Sequence, residues 1–355
     1  MNIMLLLMFS FFNDYRHVNI DSSISRTKNP DVKVCYLNNE LMYYDNFIDT
    51  DCNIYLHSKA KRYTLHINKD YNNFNLCNQM PISNITAYKD TLFFIASKEF
   101  LKYCYNSTTD SIEFVSHTNL DEMFNQDILY YARNIFLDYP NLIGYTDIFI
   151  SKTLDKNDML YYFRVNLQDN SIKKFKKIDY PSGLYWAVYQ PRNIIDFSKK
   201  SYLVTDITEY KIRIYDYNDS LLSKIDRELP FWQATTYDNY KFSGWHPMKI
   251  IDVLSSDANT KTLIHRVNFL SDSLILVCYS NRQEDSDKIF DLFYDIWEKQ
   301  GETWQLKNKD LASDKILEKY KIDLSANYII LNNTLIFSSF ENDIYKLNMV
   351  EYGDK

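Results

Sequence analysis

"SYLVTDITEYKIRIYDYNDSLLSKI", residues 201–225, reads as three strands separated by two turns. An apolar run ends at Thr205, "DITEY" turns the chain, "KIRIYDY" alternates polar and apolar residues, "NDS" turns it again and "LLSKI" closes the unit. Alternation with a period of two marks a strand with one buried face, and breaks rich in Asp, Asn and Ser mark tight turns. Immediately upstream, "NIIDFSKK" adds an incoming strand and a polar hairpin tip. The stretch is therefore one four-stranded antiparallel meander.

The same grammar recurs along the chain. Aligned on the apolar residue that opens the second strand, the copies are Leu41 in "YLNNELMYY", Leu92 in "AYKDTLFFI", Leu142 in "LDYPNLIGY", Tyr202 in "FSKKSYLVT", Leu274 in "FLSDSLILV" and Leu335 in "ILNNTLIFS". The tips Asn38-Asn39, Lys89-Asp90, Ser271-Asp272 and Asn332-Asn333 are polar pairs, and Asn and Asp tolerate the positive φ that a two-residue hairpin demands. Tyr139-Pro140 departs from this pattern, because proline alters the turn. A second strand pair follows each hairpin, as in "NIYLHSKAKRYTLHI", "FLKYCYNSTTDSIEFV", "LYYFRVNLQDNSIKKF" and "IFDLFYDIWEKQGETWQL". Six units of four strands, each roughly 50 to 70 residues long, predict an all-β, six-bladed β-propeller. After "DIYKLNMV" the last unit has no room for its fourth strand, so "YRHVNI" (Tyr15 to Ile20) is expected to supply it and close the last blade. The first strand of each blade is expected to line a central channel.

Composition agrees with an all-β chain. Aromatic residues make up 16% of 355 residues, and they suit a pleated, half-buried surface. Formal net charge is -7 with Lys and Arg scattered, which excludes the clustered basic footprint of a nucleic-acid binder. The short cluster Lys173, Lys174, Lys176, Lys177 reads as the solvated end of a hairpin. The apolar run from Ile3 to Phe12 is too short to span a bilayer and no other segment is long enough, so no membrane span is expected. Its length suits the core of a secretory signal, although no basic residue precedes it. Residues 1–13 are accordingly read as a hydrophobic leader or truncated signal segment, and 14–355 as a single six-bladed propeller domain, exported to the periplasm or cell surface. A first buried strand is the alternative for the same residues. Cys35, Cys52, Cys77, Cys104 and Cys278 contain no CxxC, and buried thiols are preferred over the pairs Cys35–Cys52 or Cys77–Cys104.

With this blade grammar, and with segments such as "NIIDFSKKSYLVTDITEYKIRIYDYNDSLL", nearly the whole chain after the leader resembles the NHL-like or TolB-like six-bladed propeller proteins exported by Bacteroidota. The resemblance implies a fold and no activity, since those proteins share no catalytic motif that can be carried over.

Three arginines precede channel-lining strands by similar distances: Arg133 in "YARNIFLD", Arg192 in "QPRNIIDFS" and Arg266 in "IHRVNFLS". Facing inward, they would form a positive arc for a carboxylate, sulfate or phosphate, such as that of an acidic sugar. The competing reading is that each guanidinium ties neighbouring blades together. Asn134, Asn193 and Asp196 lie close by and allow a calcium reading, but ordinary turn and cap chemistry is the preferred explanation; no cofactor or metal is assigned. Between the fourth and fifth hairpins, "LPFWQATTYDNY" and "FSGWHPMK" place Trp232, Trp245 and His246 in a long aromatic connection, and "GLYWAVYQP" adds Trp186. Such loops on a rigid scaffold serve recognition as readily as packing. No HExxH, GxSxG or P-loop is present, and "KQGETWQ" lacks the residues that complete an Asp-box.

The expected function is a non-catalytic exported propeller that binds a protein or glycan partner through one face and the aromatic insertion. The alternative is a hydrolase or lyase acting on an anionic sugar or lactone, with the Arg arc holding the carboxylate. A monomer is expected, because a closed ring leaves no sheet edge unpaired.

Overall fold

The computed structural model describes residues 12–20, 32–45, 53–58, 61–67, 82–96, 99–119, 130–148, 160–169, 171–178, 195–206, 209–230, 262, 264–281, 291–312, 328–331, 334–341 and 344–352. Among them, 24 strands form six four-stranded antiparallel sheets. After β1 (Phe12–Ile20), the first sheet is β2 (Val32–Leu37), β3 (Glu40–Asp45), β4 (Asn53–His57) and β5 (Arg62–His66) in that order. The second is β6 (Thr86–Tyr88), β7 (Thr91–Ala96), β8 (Glu99–Asn106) and β9 (Ser111–Asn119). The third is β10 (Tyr130–Asp138), β11 (Asn141–Ile148), β12 (Leu160–Asn166) and β13 (Ser171–Ile178). The fourth is β14 (Ile195–Phe197), β15 (Ser201–Asp206), β16 (Lys211–Asp216) and β17 (Leu221–Asp226). The fifth is β18 (Ile264–Ser271), β19 (Leu274–Asn281), β20 (Asp291–Gln300) and β21 (Thr303–Ala312). The last is β22 (Tyr328–Leu331), β23 (Thr334–Glu341) and β24 (Ile344–Tyr352), with β1 as its fourth strand.

Each of the six aligned residues is the first or second residue of the second strand of its sheet, from Leu41 in β3 to Leu335 in β23. The amino-terminal strand pairs antiparallel with β24, His17 opposite Asn348 and Ile20 opposite Tyr345. This strand begins at Phe12, two residues inside the span expected to be leader. The lysine cluster also differs from expectation: Lys173 to Lys177 run along β13 rather than at a hairpin end. At the tips, Asn38 and Asn39 both take positive φ, as a type I′ turn requires. In the second sheet the positive φ falls on Lys89 and not on Asp90, and in the third the Tyr139–Pro140 peptide is cis. "KQGETWQ" is the β20–β21 hairpin, where Gly301 at φ 64° relieves the steric cost that a Cβ would impose.

The strands fall into two compact units, one holding β14 to β21 and the other β1 to β13 with β22 to β24. In the larger unit, β2 lies against β22 and β23, β6 against β2, and β10 against β6 and β7. In the smaller, β18 lies against β14 and β15. This stacking explains the unbroken apolar run "LFFIA" in β7. Leu92, Phe94 and Ala96 join the core shared with the first sheet, whereas Phe93 and Ile95 turn to Ile135, Leu142 and Phe163 of the third. A strand covered on both faces gains burial from every residue and so loses its polar alternation. Packing is close enough that a Cβ on Gly144 would sit 2.5 Å from Phe163 Cζ. Cys35 and Cys278 are buried, burial pushes the Cys35 thiol up to about 12, and Cys104 is half-buried. Cys52 and Cys77 lie outside the described residues.

Candidate functional site

In the smaller unit the first strands β14 and β18 lie side by side, and polar chemistry enters an otherwise apolar layer there. Asp196, in "IIDF", is buried between Ile195 and Phe197. Its Oδ2 accepts from the Phe269 amide at 2.7 Å and from Asn268 Nδ2 at 3.2 Å. Asn268 in turn accepts from Arg266 Nε at 2.9 Å, so one amide side chain joins a carboxyl group to a guanidinium. Burial pushes the Asp196 carboxyl up to about 6, against the opposing pull of the Phe269 amide, the Asn268 side chain, the Phe197 amide and the Arg266 charge.

The strand geometry beside the arginines is irregular. In β18 the register shifts between Ile264 and Arg266, leaving Arg266 opposite Cys278. In β10 the shift falls between Ala132 and Asn134, on Arg133 itself. Bulges re-aim side chains at sheet ends, and the two strands that carry the candidate arginines Arg133 and Arg266 each have one. Arg266 is half-buried. The backbone of Arg133 lies in β10, and its side chain is outside the described part. Arg192, Trp186, Trp232, Trp245, His246 and Asn193 lie outside the described residues. Among the described residues no group of three or more His, Cys, Asp or Glu is placed to hold a metal ion, and no helix is long and apolar enough to cross a membrane.

A second polar cluster links the fourth and fifth sheets. Asp295, fully buried in "LFYDIW", accepts from Tyr210 Oη at 2.6 Å, from the Asp310 amide at 2.9 Å and from Arg227 Nη1. Arg227 Nη2 also reaches both oxygens of Asp310, at 2.8 and 2.9 Å, and Trp297 Nε1 donates to Tyr210 Oη at 2.9 Å. Burial raises the Asp295 carboxyl above the usual carboxylate range, opposed by Tyr210, the Asp310 amide and Arg227. Arg227 is the first residue after β17, so this cluster pins the root of the connection that runs from Asp226 to Ile264. Leu229 on one side of that connection and Thr262 on the other are buried as well.

The larger unit uses neutral and exposed versions of the same device. Asn84 joins the second and third sheets, donating to Ile135 O at 2.8 Å and accepting from Ile135 N at 2.6 Å. Asp110, at the β8–β9 turn, accepts from Lys61 Nζ at 2.7 Å, Tyr105 Oη at 3.0 Å and Tyr63 Oη at 3.1 Å. These donors, Lys61 first, hold its carboxyl below the usual range. The polar partners Asn268, Asp295 and Arg227 were not anticipated from the sequence. The signal available was a carboxylate inside an apolar strand, "IIDF" and "LFYDIW", since a charge at such a place requires a partner.

No protein-family model matches the sequence, and no curated protein does. Among solved structures, the chain is similar to a luciferin-regenerating enzyme at 10% identity, covering 95% of each chain with a TM-score of 0.44. It is similar to a hypothetical selenium-binding protein from Sulfolobus tokodaii at 7% identity, over 84% of this chain and 69% of the other, with a TM-score of 0.44. The β-propeller domain of the Trilobed protease from Pyrococcus furiosus, described as having an open velcro topology, is 10% identical over 77% of this chain and 84% of its own, with a TM-score of 0.39. Likenesses this distant say nothing about a shared ligand or reaction.

Proposed function

We propose that the chain is a six-bladed β-propeller, closed by its amino-terminal strand, that acts as an exported binding scaffold for an acidic glycan or a protein partner. Recognition is assigned to the 227–263 connection, with its Trp232, Trp245 and His246, acting with Trp186 and the arginines Arg133, Arg192 and Arg266. The observation that carries this reading is the placement of that connection. It is the longest interval between consecutive described strands, its roots at Arg227, Leu229 and Thr262 are held on the sheets, and Arg266 stands near the start of the strand that follows it. Rigid sheets with a long aromatic segment anchored at both ends suit recognition. The apolar run from Ile3 to Phe12 supports export.

A second reading rests on Asp196. A carboxyl group held at about 6 and joined through Asn268 to Arg266 suits an enzyme that grips the carboxylate of a sugar or lactone and moves a proton.

Calorimetric titration with hexagalacturonate and with neutral cellohexaose separates these readings. The scaffold reading predicts saturable binding of hexagalacturonate without turnover, weakened at least ~tenfold in both W232A/W245A and R133A/R192A/R266A while melting is unchanged. Turnover that disappears in D196N selects the enzymatic reading. Undiminished binding by both variants, or no binding by the parent chain, contradicts the glycan assignment.

A further inference from the structure

Among the described residues, the large exposed aromatic side chains are Tyr36, Tyr88 and Tyr139, with 38, 38 and 40% of their surface open. All three stand where the first strand of a sheet turns into the second, in three successive sheets of the larger unit. Tyrosine abundance alone does not explain this, since Tyr43, Tyr44, Tyr63 and Tyr103 of the same sheets are buried. The tips are tied to each other. The Asn38 amide of the first tip donates to Lys89 O of the second at 3.0 Å, and the Tyr88 and Tyr139 rings of the second and third tips stack with centroids 4.0 Å apart and planes within 1°. The row is thus held in place before any partner arrives, which lowers the ordering cost of binding.

Charge around the row identifies the partner. Glu40 and Asp90 are exposed beside the rings, Asp138 is half-buried next to Tyr139, and Asp110 lies on the neighbouring turn. Two described ammonium groups stand among these four carboxylates, and Lys61 is bonded to Asp110. One ring of the row already carries a cation, Lys89 Nζ lying 5.4 Å from the Tyr88 centroid, and Lys61 Nζ lies 4.7 Å from that of the buried Tyr63. Aromatic faces rimmed by excess carboxylate complement ammonium and guanidinium groups.

We propose that Tyr36, Tyr88 and Tyr139, with Glu40, Asp90 and Asp138, form a docking surface for a basic polypeptide segment, whose Lys and Arg side chains lie across the tyrosine rings. This surface is independent of the 227–263 connection and takes a ligand of opposite charge to the one proposed there.

The test is fluorescence anisotropy of a labelled lysine decapeptide against the full chain at about physiological salt, where weak unspecific attraction is screened. A chain with a net charge of -7 attracts any polycation, so the decisive variant is Y36A/Y88A/Y139A, which leaves the charge unaltered. Saturable binding, weakened ~tenfold or more in that variant and also in E40Q/D90N, is the expected result. Y36L/Y88L/Y139L keeps the apolar bulk should the alanine variant fail to fold, and it is expected to lose binding equally. Equal binding by the leucine variant, no binding by the parent chain, or preference for cellohexaose over the decapeptide overturns the proposal.

Discussion

At the scale of single residues, Asp196 shows what burial does to a carboxyl group held inside an apolar layer. Its carboxyl group is raised from 3.8 to about 6 in the fold, so the folded chain holds a proton that the unfolded chain releases. Stability from this group is therefore full below about 4 and falls as pH rises to about 6, because the unfolded state binds fewer protons across that window. A shift of this size corresponds to on the order of 3 kcal/mol. Asp196→Asn keeps an oxygen to accept the Phe269 amide and removes the titration. Urea unfolding between pH 4 and 7 is expected to lose the part of its pH slope that lies in this window, and the variant should be the more stable form at pH 7. An unchanged slope would mean that the carboxyl group is not perturbed as described. The residue was visible in the sequence as a neighbour of Arg192 and Asn193, but its partners come from a strand more than 70 residues away. Strand periodicity says which face a side chain takes and not which group of another sheet meets it.

At the scale of elements, the strands were legible because their signals are local. Alternation, polar tips and the six aligned residues place every hairpin, and "YRHVNI" reads as a strand in need of a sheet. The turn details were less legible: Lys89 takes the positive φ next to an aspartate that would take it at lower cost, and its carbonyl accepts from the Asn38 amide of the neighbouring tip, a contact between sheets that no local signal announces. The clasps between sheets were not legible at all. Arg227 lies in "DREL", an unremarkable polar stretch, yet its guanidinium faces Asp295 and Asp310 of the next sheet. Arg227→Met leaves the buried Asp295 without its cation, and the expected loss is about 3–5 kcal/mol in chemical denaturation. Adding Asp295→Asn to that variant removes the unpaired charge and should restore much of the loss. A single variant as stable as the parent chain, or a double variant no better than the single, would show that the pair does not hold the fourth and fifth sheets together.

At the scale of the whole molecule, β1 and β24 join in one sheet, and the other five sheets repeat its four-stranded plan. Repetition made this legible, since a unit written six times reveals its incomplete copy. The candidate site was legible in part. Arg266 and Asp196 fall on adjoining first strands, whereas the aromatic side chains of the 227–263 connection carry no strand pattern from which a position follows. Function is the property that repetition obscures most, because sheets that differ in ligand are written with the same core. Hydrogen exchange of the β24 amides measures directly whether β1 completes the last sheet. Replacing Phe12–Ile20 by a Gly/Ser segment of equal length removes the partner strand while preserving chain length. Slow exchange at β24 is expected in the parent chain and loss of that protection in the replacement, with the β6–β9 sheet changing far less. Equal protection of β24 in both chains would contradict the pairing of β1 with β24.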